Sequence, residues 1–134
     1  ESGAILFYLA RRFPEAGLLP EDAMGEAQML SWMSFAAATL HPAHIAGPER
    51  AEAALDQAER RLGTREWAVS DRLSMADIHL FRLFWRMRHT HPLPLDKWPG
   101  LLAHYDRMMA LPAVQKTCTV EQGIGYELRG LKLP

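Results

Sequence analysis

Six histidines, one cysteine and a serine at the second position carry most of the chemical scope of this 134-residue chain. His41 and His44, or His89 and His91, are spaced closely enough to share a metal ion. Each pair falls in a proline-punctuated stretch with no thiolate nearby, so surface or capping roles are expected and no metal site is predicted. Cys118 stands alone, which excludes an internal disulfide and a cysteine-rich zinc site and suits a reducing compartment. Ser2 has no adjacent His and Asp to make it a nucleophile; its place before a helical pattern makes it an N-cap. Phosphate-loop, GxSxG, HExxH and CxxC motifs are absent, and Gly123-Ile124-Gly125 is too short for a dinucleotide fingerprint.

Helices must position these groups. The pattern predicts a short helix over about 3–12, with Ile5, Leu6 and Leu9 on one edge and Arg11 and Arg12 at the negative end of its dipole; Phe13-Pro14 ends it. The stretch from Pro14 to Pro20 reads as a linker. Asp22 or Glu21 then opens a helix to about Leu40, followed by a turn at Pro42, Gly47 and Pro48. Pro48 starts a helix that buries Ala51, Ala54, Leu55, Ala58 and Leu62 and stops at Gly63, its charged residues forming a solvated face. Ser74 and Asp77 form a capping box, with Leu73 and Ile78 as a hydrophobic staple. In the helix that follows, the narrow polar stripe of His79, Arg82, Arg86 and His89 implies a central rod packed on several sides. Pro99 begins another helix, and Pro112 breaks it and starts a last short one to about Thr117. From Thr119 onward the tail is expected to lie along the surface without helical pattern. The expected fold is an all-α bundle of about six helices.

Composition excludes several functions. With 49% hydrophobic and 23% charged residues the chain is an ordinary globular domain. A net charge of −1 offers no basic surplus for a nucleic-acid backbone, so no nucleic-acid partner is expected. No apolar window reaches the length of a membrane span and no signal-peptide layout opens the chain, so no membrane partner is expected and the reading is cytoplasmic. The chain begins without an initiator Met and runs straight into a helix, which points to a longer polypeptide.

Three segments carry a resemblance. Glu1-Ser2-Gly3-Ala4-Ile5, continuing to Tyr8-Leu9, resembles the E-S-x-A-I-x-x-Y-L stretch where the thioredoxin-like domain of cytosolic glutathione transferases passes into its last helix. Asp71 to Ile78 is similar to that family's G-D-x-[FL]-S-x-A-D-[IL] capping box, and Arg107 to Gln115 to its R-M-x-x-x-P-x-V segment. Trp32 to His41 resembles the W-L-x-[FY]-x-x-x-E-L-H stretch of the bacterial beta-class members.

The resemblance implies a glutathione transferase: attack of the glutathione thiolate on a small hydrophobic electrophile, or on a peroxide or disulfide, in detoxification. Residues 1–13 would end the thioredoxin-like domain, 14–20 would be the linker and 21–134 the helical C-terminal domain. The rest of the thioredoxin-like domain, with the Tyr, Ser or Cys that acts on the thiol, would precede Glu1. Glu1 and Ser2 would hold the γ-glutamyl end of glutathione, and His41 would act near the sulfur as a hydrogen-bond donor or weak base. Trp32, Phe35, Ala36 and Thr39 would wall the hydrophobic-substrate site, with no metal required. The family pattern also implies a homodimer through the first two helices of the C-terminal domain. The alternative it offers is a non-catalytic assembly module. Thr39 stands where the family has an acid, Ser34 where beta-class members often have Asn, and Ser70 where it has Gly, which argues against a left-handed turn there.

Overall fold

The computed structural model describes residues 2–124. They are helical throughout their regular structure: α1 (Ser2–Arg12), α2 (Ala23–Phe35), α3 (His41–Ala46), α4 (Pro48–Leu62), α5 (Met75–Thr90), α6 (Pro99–Met109) and α7 (Pro112–Ile124). A π-helical segment, Ala36–Leu40, joins α2 to α3 without a break, so six rods form the all-α bundle among the described residues. The α5 rod runs through its centre and buries Leu80, Leu83, Phe84 and Met87 against α2, α4 and α6.

Asp22 starts α2 by accepting the Gly25 N–H at 2.9 Å, the N-cap bond its position predicts. A Cβ at Gly25 would sit 2.7 Å from Pro20 Cβ, so the linker lies against α2 only because that position has no side chain. Two further bonds fix the linker to the start of α5. Met75 N–H donates to Leu18 O at 3.1 Å, and Arg72 reaches Leu19 O at 3.2 Å.

The sequence places the end of the second helix near Leu40 and Pro42 in a turn; the structure corrects both. Proline has no N–H, and in an α-helix its ring meets the carbonyl four residues back, here that of Ala38. The helix widens instead: His41 N–H donates to Ala36 O, five residues back, and the rod continues through Pro42 to Gly47, whose φ of 109° ends it. Two other expectations give way. The last helix runs to Ile124 rather than Thr117, taking in the start of the expected tail; Gly125 and beyond lie outside the described residues. Ser70 adopts φ 60°, so the left-handed turn forms without glycine.

The charge run on α4 is not merely a solvated face. Both carboxylate oxygens of Glu59 cap α6, accepting from Gly100 N at 2.8 Å and Leu101 N at 2.9 Å. One turn earlier Asp56 accepts from Trp98 Nε1 at 2.8 Å, and Glu52 pairs with Lys97. This row of acids holds the first turn of α6, where the dipole favours negative charge.

The capping box at Ser74 and Asp77 forms, and it reaches further than its own helix. The Ser74 N–H and hydroxyl each donate to Asp77 Oδ2 at 2.8 Å. The other oxygen, Oδ1, accepts from Ala68 N at 2.7 Å and lies 3.0 Å from His104 Nε2 on α6. Asp77 is 0% exposed and His104 1%.

Candidate functional site

Ser2 opens α1 with its side chain exposed; Glu1 lies outside the described residues. The first turn of α1 rests on α2, where the Cβ direction of Gly3 points at Met33 Cε, 3.5 Å away. The same rod leads in eight residues to His41, an advance of about 12 Å at helical rise. The N-terminal turn of α1 thus packs on the same rod that carries His41 farther along.

His41 is exposed, and its side chain makes no hydrogen bond among the described residues. Across from it on α5 is His79, a residue that patterning reads as part of a polar stripe and nothing more. Its Nδ1 is buried with no hydrogen-bond partner. Burial first, and then the nearby charge of His41, hold the His79 imidazole below its ordinary value. His79 is therefore a neutral ring facing the open one, and the only sequence signal for it was a polar side chain one turn into a helix otherwise spent on the core.

The proposed wall residues divide by burial. Trp32 and Ala36 are 3% and 1% exposed and belong to the core, whereas Phe35 and Thr39 are half-buried and keep some accessible surface. The Trp32 and Phe35 rings meet edge to face at 5.8 Å. Because the π segment shifts the register after Phe35, Thr39 and His41 do not fall on the faces an unbroken α-helix would give them.

The sequence pairs His41 with His44 and His89 with His91, both in turns. The structure instead brings His44 of α3 against His91 at the end of α5, with ring nitrogens 3.2 Å apart. His91 Nε2 also lies 2.9 Å from His44 O, a contact that a ring N–H satisfies. The pair ties the rod carrying His41 to the central helix. Among the described residues no three His, Cys, Asp or Glu side chains gather as a closed metal centre would require. No described helix is long and apolar enough to cross a membrane. Burial, then Glu121, raises the Cys118 thiol above its ordinary value against the pull of Arg82, so this cysteine is not primed as a thiolate.

The family described as glutathione S-transferase, C-terminal domain, matches residues 37–112. A glutathione S-transferase-like protein of Gibberella fujikuroi is 29% identical over 137 residues, covering 87% of this chain and 65% of its own length. Among solved structures, a glutathione transferase homologue from Sulfitobacter with bound glutathione superposes with a TM-score of 0.83 at 26% identity, covering 90% of this chain and 67% of that one. The bacterial beta-class glutathione S-transferase of Sphingomonas chungbukensis gives 0.80 at 25% identity, with 90% and 67% covered. The chain thus spans about two-thirds of the length of these proteins.

Proposed function

The chain belongs to the glutathione S-transferase C-terminal domain family, and on that premise we propose that it forms the helical half of a glutathione transferase. What supports the reading is the family match together with an exposed Ser2 at the start of α1, which packs on the rod that carries the exposed His41. Ser2 and the first N–H groups of α1 bind the γ-glutamyl carboxylate, with Glu1 taking the ammonium group. His41 faces the sulfur and donates a hydrogen bond that favours the thiolate. A Cys, Ser or Tyr from a thioredoxin-like segment preceding Glu1 completes thiol activation.

In conjugation the sulfur lone pair forms a C–S bond while the leaving group departs with its electron pair, or the pair moves onto an activated double bond that is then protonated. With a peroxide, the thiolate attacks oxygen, the O–O bond breaks and the alcohol leaves after protonation, and a second glutathione converts the sulfenic acid to glutathione disulfide and water; with a disulfide, the S–S bond breaks, one thiol leaves, and a second glutathione resolves the mixed disulfide to glutathione disulfide and the other thiol. Phe35 and Thr39, backed by Trp32 and Ala36, wall the apolar second substrate. The protein acts in the cytoplasm as a homodimer paired through α2 and α4, with residues 1–13 closing the thioredoxin-like domain and 14–20 linking it to the helical one.

The test uses the complete gene product, assayed for retention on immobilised glutathione and for conjugation of an activated aryl halide. Ser2→Ala should weaken glutathione binding about tenfold, the loss of one charge-assisted hydrogen bond, and His41→Ala should lower turnover with retention kept. A protein that neither binds glutathione nor turns over, yet keeps its oligomer and partners in both variants, is an assembly module, and the enzyme reading fails.

A further inference from the structure

His44 and His91, which tie α3 to the end of α5, stand as two ligands of one metal ion would. Two imidazoles on a tetrahedral ion, at metal–nitrogen bonds of about 2.0–2.1 Å, hold their ligating nitrogens about 3.3 Å apart and their ring centroids about 5.2 Å apart. Here His44 Nδ1 and His91 Nε2 are 3.2 Å apart and the ring centroids 5.1 Å. A straight N–H···N bond of that length would set the centroids at about 5.5 Å, so the rings are bent off the line between their nitrogens, as they are around a shared ion.

A third electron-rich atom stands beside them. His44 O lies 2.9 Å from His91 Nε2. The helical partner of that carbonyl would be the N–H of the residue four positions on, which is Pro48 and has none. One ring nitrogen therefore faces two lone-pair atoms. A ring N–H shared between them satisfies the group, and so does a cation that all three approach, the His91 proton then moving to Nδ1 and leaving the ring neutral. Both rings are also fixed in place. His91 precedes Pro92 and is held extended at φ −122° and ψ 146°, its N–H bonded to Met87 O and its carbonyl to Leu93 N–H. His44 sits in a short helix with Pro42 near its start and Pro48 just beyond its end. Each ring is half-buried, backed by protein yet accessible to water.

We infer that His44 and His91 form a two-histidine site for a late-transition dication such as Zn²⁺ or Ni²⁺, with His44 O as a weaker third contact and water completing the shell. Imidazole nitrogen selects these ions over Mg²⁺ and Ca²⁺, which take oxygen ligands. With two side chains rather than three or four, the ion is exchangeable and not a structural centre. Bound there, it joins α3 to α5 and stabilises the folded chain by mass action. The site uses neither α2 nor α4, through which copies are proposed to pair, and no residue of the glutathione or wall sites, so it does not depend on the glutathione reading.

The experiment titrates Zn²⁺ and Ni²⁺ into the untagged complete gene product, stripped beforehand with EDTA, and follows heat and melting temperature. Saturable binding is expected, weakened about tenfold or more in His44→Gln and in His91→Gln, as the loss of a ligand demands. His89→Gln, whose ring belongs to a separate contact with Tyr105, should leave it unchanged. Zn²⁺ should raise the melting temperature of the parent protein and of His89→Gln, EDTA should reverse the rise, and both site variants should lack it. His44→Gln retains the His44 carbonyl for the His91 ring, so it keeps the test valid if His91→Gln does not fold. No saturation by either ion at millimolar concentration would overturn the proposal. So would unchanged affinity in His44→Gln, which would place the ion on other residues, or equal affinity for Ca²⁺, which an imidazole pair does not give.

Discussion

His79 shows most directly how surroundings decide the behaviour of one side chain. Its ring is held below its ordinary value by burial and by His41, and that of His89 by burial and by Arg88. A lowered folded-state value means that, as pH falls below about 6.5, the unfolded chain takes up protons that the folded chain refuses. Their effect on stability is therefore absent above that pH and grows as a loss on acidification. The melting temperature should fall between pH 7.5 and 5.5. In a His79→Gln, His89→Gln double variant the fall should be visibly shallower, as circular dichroism melts at stepped pH would show; an unchanged slope would mean that neither ring resists protonation. Sequence made these residues visible as polar positions but not as special ones, because patterning registers polarity and not the neighbours that a fold supplies. Ser70 fails in the opposite direction: its type argues against φ 60°, and the turn before the capping box imposes it.

At the scale of elements, start and stop signals were legible where they are local. Asp22, Pro48, Ser74, Pro99 and Pro112 each stand at or immediately before a helix start. What was not legible needed a second element. Glu59 reads as a surface acid until α6 is placed over it, and its carboxylate then satisfies two N–H groups of that helix. Glu59→Gln, which keeps only one acceptor oxygen and no charge, should cost about 1–2 kcal/mol. Arg60→Gln, on the exposed side of α4, should stay within about 0.5 kcal/mol; urea midpoints at constant slope would compare them. The π segment was hidden for a different reason: Pro42 normally marks a stop, and the alanine run before it carries no periodicity to reveal the widened register. Pro42→Ala should allow the rod to return to α-helical register, turning His41 by about one residue, roughly 100°. In the complete gene product, turnover should then fall while glutathione retention, which the proposed site assigns to Ser2, and the melting temperature are preserved.

For the whole molecule the decisive group is Asp77. All-α architecture and the central position of α5 follow from helix periodicity, but nothing in the sequence shows that one carboxylate joins three separate parts of the bundle. Ala68 belongs to the connection after α4, Ser74 to the start of α5 and His104 to the middle of α6, and all direct donors at the same two oxygens. Without Asp77 those donors would be buried with no acceptor, and the rods of α4, α5 and α6 would lose their common reference. Asp77→Asn keeps the volume but sets an NH₂ group against at least one of the donors, so its cost should resemble that of breaking a buried pair, about 3–5 kcal/mol. Because His104 faces the same atom, Asp77→Asn and His104→Gln should be non-additive, with a coupling of about 1 kcal/mol or more in a double-mutant cycle. Urea unfolding of the four proteins measures both. Additive losses would mean that α6 is held by Glu59 and apolar packing alone, and that the Asp77 contact to His104 merely accompanies the fold.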